Sequence, residues 1–338
     1  MVTFYSKKRN GGIFMLLTTT VQKFFFKLLS LLIAAFYSIN GALVPPSEQT
    51  PIQAKNPDEV KLVFAAIADP QMSNYILSRV PTFQAACMDL KNAECKLDAV
   101  VGAGDIAENG LAEEYQLIYD NISGIDTRYI MAIGNHDVRL RNYKAVVSRF
   151  TGFINALNGD NAVSSLHYSE TINGYKIIVL GTDRTEFEES YLSDSQLAWL
   201  DAELEAANGE PAFVVCHQPL RDTHNVDVAW NSPIDGAGTV GKQSAALREI
   251  LVKHKNVIYI NGHLHEGLGA YSFEKLGEAS YSVNVPSFSV GNSDGEYNDA
   301  GTGFIVEVYD GEVIFRARDF AKGIWVPEYD ITIPVAVK

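Results

Sequence analysis

The sequence predicts a layered α/β domain whose sheet is completed by late antiparallel strands. Three observations carry that prediction. From about Val60 onward, apolar β-branched runs alternate with helical patterns. From Gly267 to Val337 strands and turn residues take over. With 338 residues, 47% of them hydrophobic, the chain can bury a substantial core, and neither an internal repeat nor a low-complexity tract interrupts the order.

The elements follow in order. Residues 1–42 hold five bases and no acids, and Leu28–Tyr37 is a nearly unbroken apolar run behind Lys23 and Lys27. This is the layout of a secretory signal, and it is short of the about 20 apolar residues that a membrane span needs. Met15 as an alternative start leaves a compact signal. Ala42 fits the last position before cleavage, while Asn40 fits the small-residue rule poorly. The expectation is a secreted, cell-surface or periplasmic protein, with a membrane contact only if this segment stays uncleaved as an anchor. Residues 43–59, with Pro45, Pro46, Pro51 and Pro57, read as an exposed linker, and residues 60–338 as one domain.

Within that domain, Leu62–Ala68, Leu97–Gly102, Tyr129–Ile133, Lys176–Leu180, Ala212–Cys216 and Val257–Ile260 read as buried strands. Helices are predicted at Val80–Leu90, Leu111–Asn121, Asn142–Ala156, Ser193–Ala207 and Ser244–His254, the fourth opened by a Ser193/Gln196 capping box. Ala270–Phe273, Ser280–Val285, Thr302–Tyr309 and Val313–Asp319 complete the meander, with Asp310-Gly311 as a turn. The three cysteines leave at least one unpaired. Cys216 reads as a buried thiol, and a Cys87–Cys95 bridge requires the chain to turn back near Lys91–Ala93.

Charge narrows the partners. The net charge is −14, and the chain beyond residue 42 holds 22 bases against 41 acids, or −19. Such a surface repels a nucleic-acid polymer, whereas small phosphorylated substrates remain open.

Five polar motifs then come into view: Asp69-Pro70-Gln71, Gly104-Asp105, Gly134-Asn135-His136-Asp137, His217, and Gly262-His263-Leu264-His265. Most of their donors stand just after a predicted strand, and in an open α/β sheet the carboxyl ends of strands are where ligands converge. Each motif alone is weak, since Asp and Asn at a strand end often only shape a turn. Jointly they are specific, because four of the seven histidines fall in them. His167 and His254 read as uninvolved, and His224 as a residue that can line the pocket.

Taken together, the motifs resemble those of the calcineurin-like metallophosphoesterases, over Leu62 to His265. The resemblance implies a four-layer sandwich of two mixed β-sheets flanked by helices. It implies two metal ions per chain, one held by Asp69, Gln71, Asp105 and His265, the other by Asp105, Asn135, His217 and His263, with Asp105 bridging. Two cations about 4 Å apart acidify a shared water to hydroxide and clamp the phosphoryl oxygens for in-line attack. His136, not needed as a ligand, is the candidate to protonate the leaving oxygen or to stabilise the phosphoryl group.

Two departures refine the expectation. Gln71 stands where many members carry His, and its neutral oxygen favours Mn or Fe over Zn; the Asp-x-Gln form is similar to the ADP-ribose/CDP-alcohol diphosphatase and CPPED-like branches. Asn109 replaces the phosphate-holding Arg of the protein-phosphatase branch, which shifts the expected substrate toward phosphodiesters, pyrophosphates or nucleotide-like phosphates. Asn109, His224 and Trp230, the last able to stack on a nucleobase or to pack its own loop, are the substrate-binding candidates. Arg221 and Lys242 are the nearest bases for a second phosphate. A broad phosphomonoesterase and a non-catalytic exported binding or surface protein are the alternatives.

Overall fold

A computed structural model describes residues 48–230 and 237–336. The secretory-signal segment lies outside the described residues. Two sheets form the centre. The first runs β12-β11-β10-β1-β2-β3, with β13 added on β11. Here β1 is Leu62–Ile67, β2 Ala99–Ala103, β3 Arg128–Ala132, β10 Thr302–Tyr309, β11 Glu312–Asp319, β12 Ile324–Trp325 and β13 Ile331–Pro334. The second runs β4-β5-β6-β7-β9-β8. Its strands are β4 Tyr168–Ile172, β5 Tyr175–Val179, β6 Ala212–Val215, β7 Val257–Asn261, β8 Phe273–Lys275 and β9 Ser280–Asn284.

The first sheet is mixed for the reason the sequence suggested, late antiparallel strands, whereas the second owes its mixed character to its two edge strands. β1, β2 and β3 are parallel, joined by helices Val80–Lys91 and Ala112–Ile122, and the late strand β10 closes on β1 antiparallel. β5, β6, β7 and β9 are likewise parallel, with antiparallel β4 and β8 at the edges.

Strand alternation sorts the core into layers. Leu62, Phe64 and Ala66 of β1 face the second sheet, where Phe64 meets Phe213 edge-on at 5.0 Å. Val63, Ala65 and Ile67 face the other way, toward Phe83, Ile118 and Phe150 of the helices. A third apolar cluster joins the outer face of the second sheet to helices Asp194–Ala206 and Ser244–Lys253. Helix, sheet, sheet, helix is the expected four-layer sandwich.

Several local expectations are corrected. Residues 49–56, though mostly exposed, are docked rather than a free tether: Ile52 is fully buried and its carbonyl accepts from the Glu94 and Cys95 amides, while Thr50 bridges the Gly323 carbonyl and the Arg318 side chain. Prolines made the segment look solvated, but its one large aliphatic side chain anchors it. Ala270–Ser272 is a 3₁₀ turn instead of a strand, because the Ser272 hydroxyl accepts from the Gly269 amide. Strand β4 was unpredicted, its polar alternation reflecting an edge position; Asn173-Gly174, both at positive φ, is the hairpin turn that signals it. Ser193 does cap its helix, but its own amide is taken by Asp183 rather than Gln196. All three cysteines are free. No helix among the described residues is long and apolar enough to cross a membrane.

Candidate metal centre

The parallel strands of both sheets end at one rim. From the first sheet, the turns after β1, β2 and β3 deliver Asp69, Asp105 and Asn135. From the second, those after β6 and β7 deliver His217, His263 and His265. Five donor residues sit in the left-handed region of backbone space: Asp69 (φ 50°), Gln71 (40°), Asp105 (48°), His263 (74°) and His265 (51°). L-residues resist that region, so each turn is held sharply back on itself against a local cost.

Close approach requires glycine at two points. A Cβ on Gly134 would lie 2.0 Å from Asp105 Oδ1, and one on Gly262 would lie 2.4 Å from Asp69 Oδ2. Backbone then fixes the outer oxygen of each carboxylate: the His136 amide donates to Asp105 Oδ1 at 2.8 Å, and the His263 amide to Asp69 Oδ2 at 2.9 Å. The remaining oxygens, Asp105 Oδ2 and Asp69 Oδ1, turn inward.

His217 is at the centre of what they meet. Its Nδ1 lies 2.8 Å from the Ala103 carbonyl. A carbonyl only accepts, so Nδ1 carries a proton, which leaves Nε2 as the atom able to give a lone pair to a cation in place of its own proton. Around Nε2 stand Asn135 Oδ1 at 3.1 Å, His263 Nδ1 at 3.1 Å, Asp105 Oδ2 at 3.2 Å and Asp69 Oδ1 at 3.9 Å. His265 Nε2 closes on Asp69 Oδ1 at 3.1 Å, and the Gln71 amide donates to Asp105 Oδ2 at 2.8 Å.

Acceptor atoms therefore converge from four sides, and one proton can reconcile only one pair of them. A cation reconciles several at once, which is the chemistry this donor set fits. Ligand atoms of Asp105, His217 and His263 lie within 4.8 Å of one another, close enough to share an ion. The local field points the same way. Burial opposes charge on His217, but the Asp105 and Asp69 carboxylates raise its pKa to about 9. Burial works to raise Asp105, yet the His217, His136 and His263 rings hold it well below the usual carboxylate range.

His136 stands beside this group and is partly exposed. Its Nε2 is 3.9 Å from Asp105 Oδ2, and its Nδ1 lies 3.3 Å from a Glu108 carboxylate oxygen and 2.9 Å from Arg139 Nη2. The imidazole is thus held from behind with Nε2 toward the donor set. Despite burial, Glu108 and Asp105 raise its pKa.

Supporting residues escaped the sequence reading. Asp137 is fully buried and accepts from the amides of Ile106, Ala107 and Gly134 and from the Tyr115 hydroxyl, tying the Asp105 loop to the Asn135 loop. It lay inside a quoted motif, so its signal was available. Arg79 bridges the Gln71 carbonyl and Glu108. Glu188 accepts from Asn135 Nδ2 at 2.6 Å, although 53 positions separate them.

The substrate candidates fare differently. Asn109 is not an open donor: its side-chain amide is held by Glu114 at 3.0 Å, and its carbonyl accepts from Arg141. His224 is withdrawn from any pocket, fully buried with Nδ1 on the Tyr271 carbonyl and Nε2 on the Ser282 hydroxyl. Trp230 ends the helix Val226–Trp230, and its side chain falls outside the described residues. Arg221 is engaged at Gly241 and Ser244. Arg79 and Arg139 do reach this rim, the first at the Gln71 carbonyl and the second at His136.

The chain is 28% identical over 134 residues to the probable glycerophosphodiester phosphodiesterase of Arcobacter nitrofigilis, covering 39% of this chain and 45% of that one. It is 24% identical over 191 residues to a 3′,5′-cyclic-nucleotide phosphodiesterase of Nostoc sp., covering 56% and 64%. The matched stretch thus spans less than two thirds of either relative. A dimetal phosphatase from Danio rerio shares the fold, with a TM-score of 0.59 at 14% identity over 82% of this chain and 100% of that one. A family model for calcineurin-like phosphoesterases matches residues 62–267, more than half of the chain and a span that encloses all five motifs, so the chain belongs to that family.

Proposed function

We propose that this protein is a metal-dependent phosphohydrolase that cleaves phosphodiesters or pyrophosphates of small molecules. The observation that carries the reading is the convergence of Asp105, Asn135, His217 and His263 acceptor atoms around one point, with Asp69, Gln71 and His265 beside them. In this reading Asp69, Gln71, Asp105 and His265 hold one ion, Asp105, Asn135, His217 and His263 hold the other, and Asp105 is shared. Ions so held acidify water and neutralise charge on the phosphoryl group.

The chain's own residues supply the rest. His136 presents Nε2 to the leaving oxygen and delivers a proton there, its ring braced by Glu108 and Arg139. A Gln in place of an imidazole at position 71 supports Mn or Fe rather than Zn, its amide turning its oxygen to the ion in place of the nitrogen that meets Asp105 Oδ2 here. The engaged amide of Asn109 leaves no phosphate clamp at that position, which supports diesters and pyrophosphates over dianionic monoesters. The two curated relatives described above carry phosphodiesterase names, which supports the same class. Export rests on the Leu28–Tyr37 run, and fractionation of producing cells tests it: protein confined to the cytosol refutes it.

The functional test supplies Mn²⁺ to chelator-stripped protein with bis-p-nitrophenyl phosphate, p-nitrophenyl phosphate, glycerophosphodiesters, cyclic nucleotides, ADP-ribose and CDP-alcohols. Metal-dependent turnover of diesters or pyrophosphates above the monoester is expected. Two bound ions with no turnover of any of them refutes the enzymatic reading in favour of a binding protein.

A further inference from the structure

Resting on the two-metal reading, we propose that Glu188 is a positioning residue that sets which atom of Asn135 faces the metal centre, and that its ion pair with Arg139 ties this setting to His136. An asparagine side chain has an oxygen that binds cations and a nitrogen that repels them, and the two are interchanged by a half-turn. Something must break that symmetry. Glu188 does so, because an ionised carboxylate only accepts: its Oε2 takes Asn135 Nδ2 at 2.6 Å, which directs Oδ1 to within 3.1 Å of His217 Nε2.

The other carboxylate oxygen pairs with Arg139 Nη1 at 3.1 Å, and Arg139 Nη2 reaches His136 Nδ1 at 2.9 Å. One side chain therefore holds a ligand candidate directly and braces the proton donor through one intermediary. Its loop, residues 181–192, is built to keep it there. The Asp183 amide meets the Tyr191 carbonyl at 2.8 Å to close the neck, and the Tyr143 hydroxyl holds the Thr182 carbonyl. At the tip, the fully buried Gln218 uses both ends of its amide, donating to the Glu188 carbonyl at 3.0 Å and accepting from the Ser190 hydroxyl. Gln218 directly follows His217, so the loop is registered against a metal-facing strand end.

The test is calorimetric titration of chelator-stripped full-length protein with Mn²⁺, with bound metal counted by elemental analysis. Wild type is expected to take up two ions. Glu188→Ala is expected to keep one at wild-type affinity and to weaken the other by about 10–100-fold, the usual effect of losing a hydrogen bond that orients a ligand. Glu188→Gln, whose carbonyl can still accept from Asn135, is expected to recover most of that loss. Arg139→Met is expected to keep both ions. Two ions at unchanged affinity in Glu188→Ala overturn the inference alone, as does equal weakening of both ions that Gln fails to restore. A wild type that binds no Mn²⁺ overturns the two-metal reading, and the inference with it.

Discussion

A single methyl group at residue 134 should dismantle the centre. Gly134 has φ −114° and ψ −179°, extended values that alanine adopts without strain, so Gly134→Ala perturbs by volume alone. The new Cβ would stand 2.0 Å from Asp105 Oδ1 and 2.3 Å from the Asp105 amide nitrogen, where real contacts do not fall under 3.0 Å. Backbone as well as side chain is in the way, so rotating the carboxylate does not relieve the clash. Asp105 must retreat by about 1 Å, and misplacement on that scale costs on the order of 10²-fold in rate. Because Asp105 is shared by both proposed ion sites, affinity at both should fall together. Gly152→Ala is the control: it lies on the exposed face of helix Tyr143–Asn158 with nothing within 4 Å of a Cβ. That change should stabilise by about 0.5–1 kcal/mol and leave turnover alone. Bis-p-nitrophenyl phosphate hydrolysis and Mn²⁺ titration of both variants decide it. Wild-type metal uptake and rate in Gly134→Ala would refute the steric reasoning.

Three further expectations are independent of that one. His136→Ala should lower turnover by about 10²–10⁴-fold while bound metal is unchanged; metal loss alongside the rate would show instead that His136 helps to hold the centre. His224 is buried with its pKa lowered to about 4, chiefly by desolvation, so its contribution to stability is complete above about 6.5 and is lost as pH falls toward 4. Across that window the loss approaches about 3 kcal/mol, and urea midpoints for wild type and His224→Gln at pH 7 and pH 5 should show the variant falling less. Equal slopes would refute it. Arg318 is fully buried against Asp89, with both contacts at 2.6 Å, and Arg318→Met should cost about 3–5 kcal/mol by stranding that carboxylate. A urea shift equivalent to under about 1 kcal/mol would show that the pair is dispensable.

What could be read in advance depended on whether a signal was local. Strand β6 announces itself as Ala212-Phe213-Val214-Val215, and His217 stands two residues past its end, so both the element and its placement at the rim were visible. Gathering the donors needed only the rule that parallel strands end together. Glu188 had no such signal, because its role arises from a loop conformation that brings it to Asn135. His224 misled for the opposite reason: a histidine in a polar loop suggests solvent, whereas the fold closes over it with the Tyr271 carbonyl and the Ser282 hydroxyl. Asn109 stands by motif spacing where the Arg was expected, but its engagement by Glu114 depends on where the next helix begins. Ile52 shows that proline content speaks of backbone stiffness, not of exposure.

The left-handed turns at the rim bear on how this protein can change over time. Glycine tolerates that backbone geometry freely, while glutamine and histidine do not. At Gln71, His263 and His265, replacement by glycine would therefore relax the chain locally while deleting a donor. Stability and chemistry pull in opposite directions at these positions. A lineage released from its reaction would find the way downhill short, each step making the scaffold sturdier and the rim more inert. Side chains that persist at such angles mark where the fold gives up its own preference to keep lone pairs pointed at one place.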